Sequence, residues 1–299
     1  MILLILTSHR LDCFDLCIRC LEAHTDLTAF ERIYVLGNEL APAHHAYASA
    51  FVGRHPNAEL VEFSPRGWDP LMKTQDLLLS QHPKSIVVKI DEDVFVMPNW
   101  LEAMLLEYEK GRPNGCVLVS ALVPNNQSGM RMLHEAYLEH FPDYAKHAES
   151  VFSTQISKNP RYALWIWQKF LQGKLDLTQT GLLKNVGPRK VDFYLNINCI
   201  MVNPDFMQAI LPFYGSTDER VINDALRMGD KLFGVVTPRA IAHHYSFGPQ
   251  QEILDQFITM EDLEPLLLNG GQLPKGTDPA KITPEAALAA SGLASPSIA

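Results

Sequence analysis

The chain of 299 residues predicts an α/β fold, a mostly parallel central sheet with helices on both faces. Three observations predict it. Short apolar runs alternate with longer amphipathic runs over the first 120 residues, and the short runs are continuously apolar. One of them ends in three consecutive carboxylates, Asp91, Glu92 and Asp93. Strands buried on both faces read as unbroken apolar runs, and regular strand–helix alternation makes such strands parallel.

The elements follow in order. "ILLILTSHR" from residue 2 is a strand and "LDCFDLCIRCLEAHTD" a helix; "ERIYVLGNE" from 31 is the second strand and "APAHHAYASAFVGRHP" the second helix. "AELVEFS" from 58 and "DPLMKTQDLLLSQHP" repeat the unit. "SIVVKIDEDVFVMP", residues 85–98, is a fourth strand, followed by the helix "NWLEAMLLEYEKG" and the fifth strand "GCVLVSALV". From about 124 to 190 the pattern loosens into polar, aromatic and helical segments. A strand returns at "VDFYLNINCIMVN" (191–203), then a helix opened by "GSTDERVINDALRMG", then "LFGVVTPRAIAHHYSF". The expected organisation is one catalytic domain over 1–250, with halves 1–120 and 121–250, a helical segment over 251–270 and a flexible tail over 271–299.

Composition narrows the function. With 47% hydrophobic and 20% charged residues the chain can bury an ordinary core, and a net charge of −9 argues against a general nucleic-acid binder. No apolar run is long enough to cross a bilayer, and "MILLILT" lacks the flanks of a signal peptide. Five cysteines do not make a disulfide framework, and a cytoplasmic setting is expected.

Cys13, Cys17 and Cys20 have the Cys-x3-Cys-x2-Cys spacing of radical S-adenosylmethionine enzymes. They are also i, i+4 and i+7, one face of a helix, in a segment with helix-forming neighbours and no glycine. The helix reading makes them small buried hydrophobes; the iron–sulfur reading is the alternative.

"VVKIDEDVFVMP" is the most informative stretch. Side chains alternate along a strand, so Asp91 and Asp93 share one side and Glu92 takes the other. Ligands bind beyond the carboxyl ends of strands in open parallel sheets, and two carboxylates suit a hard cation such as Mn²⁺ or Mg²⁺. Taken alone, Asp-x-Asp is more often a solvated strand end. With the strand order before it and Pro98 and a helix after it, the segment resembles the Asp-x-Asp site of nucleotide-sugar glycosyltransferases of the A fold, in particular the inverting family 2-like enzymes.

That resemblance implies a Rossmann-like nucleotide-binding half, a metal-dependent transferase, a nucleotide-sugar donor and a hydroxyl acceptor on a glycan, lipid or protein. It implies Asp91, Asp93 and one of His243 and His244 on the metal, with Asp91 also near the ribose. Asp218 and Glu219 stand where the family holds its catalytic base, ahead of Gly229, Pro238 and the histidine pair. Ser216-x-x-Glu219 also fits a capping box, which would make Glu219 structural and Asp218 the freer carboxylate. Thr7, Ser8, His9, Arg10, Asn38, Glu39, Arg66, Lys73 and Glu92 are the implied nucleotide contacts. Trp165 and Trp167 are either sugar-stacking aromatics or core. A nucleotidyltransferase would carry a glycine- and basic-rich phosphate loop, which "LTSHRLDCFD" lacks. A non-catalytic relative of the same fold is the remaining alternative.

Overall fold

Five of the six residues of β1 (Ile2–Thr7) are buried, so both faces of that strand are covered, as its unbroken apolar run requires. The computed structural model describes residues 1–148, 159–175, 182–191, 194–229 and 231–272. The expected tail lies outside the described residues from 273 onward.

After β1 come α1 (Leu11–His24), β2 (Arg32–Asn38), α2 (Pro42–Arg54), β3 (Ala58–Phe63), α3 (Trp68–Gln81) and β4 (Val87–Asp91). Then follow β5 (Val94–Val96), α4 (Trp100–Gly111), β6 (Cys116–Leu122), α5 (Gln127–His140), α6 (Ala145–Ala148) and α7 (Pro160–Leu171). The chain continues through β7 (Arg189–Lys190), β8 (Cys199–Val202), α8 (Pro204–Ile210), α9 (Asp218–Met228), β9 (Phe233–His244), α10 (Gly248–Leu254) and α11 (Met260–Leu268). None of these helices is long and apolar enough to cross a membrane.

The described strands form one mixed nine-stranded sheet, ordered β3-β2-β1-β4-β8-β6-β9-β5 with β7 also on β9. The first four run parallel, β8 reverses, and β6 and β9 run with the first four again. β5 and β7 run against β9, so six of the nine share a direction. The chain steps from β1 to β2 and β3 on one side, then places β4 on β1's other side. Strand order reverses there, and such a reversal opens a crevice at the carboxyl ends of the two strands. Thr7 ends β1 and Asp91 ends β4.

Two expected strands differ. The fourth is interrupted by a turn at Glu92 and Asp93, after which β5 pairs with the end of β9 and not with β1. Among the described residues of the strand expected over 191–203, strand structure covers Cys199–Val202. Upstream of it the backbone N–H and C=O of Leu195 bond the side-chain amide of Asn223 on α9, a substitute for ladder partners.

The chain divides into two compact units, residues 1–123 with 187–244, and 124–186 with 245–299. The first contains the sheet. The second, as far as it is described, is helical around an aromatic core of Tyr137, Tyr144, Tyr162 and Trp165. Trp165 is 3% and Trp167 1% exposed, and their indole N–H groups donate to Asp143 and to the Tyr245 carbonyl. Both tryptophans are core; neither presents a stacking face to a sugar.

The cysteine reading is resolved in the same way. Cys13, Cys17 and Cys20 are fully buried in α1, and the Cys17 thiol donates to the Asp91 carbonyl at 3.8 Å. Burial pushes the Cys17 thiol well above its ordinary pKa and Cys116 up to about 11. All five cysteines are therefore expected to resist an aromatic disulfide reagent in the native protein and to titrate completely in denaturant. Rapid native-state labelling of any α1 thiol would contradict this packing.

Candidate active site

β4 ends in three carboxylates that go to different partners. Glu92 turns toward the end of β1. It accepts hydrogen bonds from Thr7 Oγ1 (2.7 Å), Ser8 N (2.8 Å), Ser8 Oγ (3.1 Å) and His9 N (3.4 Å). Behind Thr7 stands His44 of α2, its Nε2 2.7 Å from the Thr7 hydroxyl. Burial lowers the His44 pKa, so a neutral imidazole donates to Thr7 and Thr7 donates onward to Glu92. Four of the expected nucleotide contacts, Thr7, Ser8, His9 and Glu92, are thus partners of one another. At 8% exposure, with both oxygens engaged, Glu92 shapes the β1–α1 turn.

The rim is built similarly. Arg66 donates to the carbonyls of Ser8, Asn38 and Glu39, and its own N–H is accepted by Glu39 Oε2 at 2.9 Å. Asn38 Oδ1 accepts from Gly67 N. Glu39 itself sits in the left-handed region at φ 55°. Arg66, Asn38 and Glu39 therefore lock together the turns after β1, β2 and β3. Arg10 makes a two-pronged ion pair with Asp12 at 2.7 and 2.8 Å. Lys73 is exposed on α3 and bonds to none of these groups.

A second cluster surrounds Asp91 and Asp93. Asp93 Oδ2 lies 3.2 Å from His244 Nε2 at the end of β9. Burial alone would depress His244, but the Asp93 carboxylate outweighs it and raises the imidazole pKa. His243 is the next residue of β9 and points to the other face. It is 2% exposed, and burial lowers its pKa to about 3. Of the two histidines, His244 is the one that meets Asp93. Asp91 accepts from Asn198 Nδ2 at 3.2 Å, and burial raises its pKa to about 6 against the opposing charge of Lys89.

Lys89 precedes Asp91 by two residues and shares its face of β4. Its ammonium, 6% exposed, meets Asp218 Oδ2 at 2.5 Å. Asp218 Oδ1 accepts from Glu219 N at 2.8 Å, so both oxygens are occupied. The α9 cap is Thr217, whose hydroxyl accepts from Arg220 N, and not Ser216. Asp218 is the more buried of the two carboxylates, and Glu219, half-buried, is held by Asn196 Nδ2 at 3.3 Å and by the Tyr194 hydroxyl. Burial raises the Glu219 pKa, with Lys89 pulling in the opposite sense.

His44, Lys89, Asn196 and Asn198 were missed from sequence. Signals existed for three of them. Lys89 is the one charge inside an apolar strand, and the asparagines of "NIN" recur at the two-residue spacing that puts both on one side of an extended chain.

As a metal centre the chemistry of the donors fits. Two carboxylates and an imidazole suit Mn²⁺, and cations of this kind are commonly held by one or two carboxylates together with substrate phosphates. Among the described residues, no three His, Cys, Asp or Glu side chains are gathered into a ready ligand set.

No protein-family model matches the sequence, and no curated protein does. Solved structures do. A crystal structure of GalNAc-T7 with UDP, GalNAc and Mn²⁺ aligns with a TM-score of 0.50 at 10% identity, covering 83% of this chain and 43% of that one. S. aureus TarS 1–349 in complex with UDP-GlcNAc gives 0.34 at 12% identity, over 41% of this chain and 34% of that one. A mycobacterial protein gives 0.44 at 14% identity, over 92% and 76%. The chain thus spans less than half of the GalNAc-T7 and TarS chains it matches. The GalNAc-T7 likeness establishes an α/β fold similar to that of A-fold glycosyltransferases.

The Glu92 clamp makes a stability prediction. Glu92→Ala strands the buried donors of Thr7 and Ser8 and is expected to cost about 3 kcal/mol in urea unfolding. Glu92→Gln keeps one acceptor oxygen and should lose less. Equal, near-zero losses would show that the clamp is not formed.

Proposed function

We propose that the chain transfers a sugar from a nucleoside-diphosphate donor to a hydroxyl acceptor, with inversion at the anomeric carbon. The observation that carries this reading is the half-buried carboxylate of Glu219 opening α9 in the same charged network as the strand-end pair Asp91 and Asp93. The end of β4 and the start of α9 thereby supply groups for the two halves of a displacement. The crevice between β1 and β4 suits a nucleotide, as reversals of strand order generally do. The turn from Thr7 to Arg10, together with Asn38, Glu39 and Arg66, would border the base and ribose.

Asp91, Asp93 and His244 would hold Mn²⁺ or Mg²⁺. Bound there, the cation would supply positive charge to a departing diphosphate. Glu219 accepts the proton of the acceptor hydroxyl as that oxygen bonds to the anomeric carbon. The bond from this carbon to the diphosphate oxygen breaks, and the electron pair leaves with the diphosphate. A carboxylate whose pKa is raised by burial is better matched to taking a hydroxyl proton near neutral pH than an ordinary one. Asp218, bound through both oxygens, is not the base in this scheme. The fold-level likeness to a protein crystallised with UDP, GalNAc and Mn²⁺ supports the reading.

The test is release of nucleoside diphosphate from a panel of uridine- and guanosine-diphosphate sugars, with acceptor glycans, in Mn²⁺ and in chelator. At least one donor is expected to turn over in Mn²⁺ alone. Glu219→Gln should lower kcat about 1,000-fold with donor KM little changed, the range for loss of a general base. Asp93→Ala should remove the cation-dependent rate. Inactivity of the wild type toward every donor, or full activity of Glu219→Gln, would overturn the proposal.

A further inference from the structure

Lys89 is the anomaly of β4. It lies in a strand flanked on both sides, Leu4 of β1 opposite it on one and Ile200 of β8 on the other. An ammonium in such a place loses its hydration and must be compensated. Asp218 compensates it, across 129 residues of sequence, with both side chains under a tenth exposed. Ion pairs this buried seldom stabilise a fold more than a well-packed apolar pair of the same volume, because desolvating two charges offsets their attraction. Folding alone therefore gives little reason for Lys89 and Asp218 where two apolar side chains would serve.

The remaining contacts supply a reason. Asp218 is the first residue of α9, and its second oxygen accepts the backbone N–H of Glu219. Lys89 through Asp218 thus ties the first turn of α9 to the strand that carries Asp91. Asn196 holds the Glu219 carboxylate from the other side, and Asn198, two residues on, holds Asp91. We propose that Lys89 is a positioning residue for Glu219. Acting through Asp218, it fixes the carboxylate of α9 relative to the carboxylates of β4, and it touches neither substrate nor acceptor. This rests on the function proposed above, because it takes Glu219 as the base.

Three variants test it with the donor that the wild type turns over: Lys89→Met, Lys89→Arg and the double variant Lys89→Met/Asp218→Leu. Thermal midpoint, kcat, donor KM and direct binding of UDP are measured for each. Lys89→Met leaves Asp218 buried and uncompensated, so both midpoint and kcat fall. The double variant replaces the pair with apolar groups and is expected to regain the wild-type midpoint. Its kcat should nevertheless stay about 100-fold low, with KM and UDP binding within about 3-fold of wild type, the pattern of a misplaced base. Lys89→Arg keeps the charge and should retain more kcat than Lys89→Met.

A double variant with wild-type kcat overturns the proposal. So does one that fails to regain the midpoint, since the pair would then serve stability. Wild-type inactivity toward all donors removes instead the underlying function, and the Lys89 role with it.

Discussion

The ion pair between Lys89 of β4 and Asp218 of α9 is the constraint on which the rest of the candidate site depends. It joins the strand that delivers Asp91 to the helix that delivers Glu219, in surroundings where neither charge can remain alone. Because Asp218 spends one oxygen on Lys89 and the other on the Glu219 N–H, the acidic pair of α9 acquires two unequal members. One is buried and saturated. The other is half-buried, held by the Asn196 amide and the Tyr194 hydroxyl, and shifted toward the protonated form by burial.

The opposite side of the same strand end works by hydrogen bonding. Glu92 accepts from two hydroxyls and two backbone N–H groups of the β1–α1 turn, with the His9 imidazole 3.5 Å away. Those bonds break the strand after Asp91, send β5 to β9, and so bring Asp93 beside His244. The turn at Glu92 and Asp93 thus divides three consecutive carboxylates between two jobs. Glu92 shapes the turn beside β1, while Asp91 and Asp93 face the charged network. Arg66, bonded to three carbonyls, closes the rim from the β3–α3 turn.

Much of this was legible in the sequence. The unbroken apolar run of β1 and the largely apolar run of β4 gave the sheet, the i, i+4, i+7 spacing of Cys13, Cys17 and Cys20 gave the buried face of α1, and the carboxylates lie at the carboxyl end of β4 beside β1. What stayed hidden depends on long-range partners. A capping pattern cannot distinguish Ser216 from Thr217 as the cap, nor reveal that Asp218 will meet a lysine from another strand. Ahead of Cys199 the Asn223 amide takes the backbone groups of Leu195, a contact with no local signature. His243 and His244 are equivalent until the register of β9 on β5 is known.

In the proposed function a strand-end carboxylate pair, one histidine and a helix-opening glutamate serve one site for a nucleoside diphosphate and its cation. The most direct measurement is the electron paramagnetic resonance signal of free Mn²⁺, titrated with the protein in the presence of UDP. The wild type should deplete that signal, and Asp91→Asn/Asp93→Asn, folded to the same thermal midpoint, should leave it near the protein-free level. Equal depletion by the two proteins, or none by the wild type, would contradict the site.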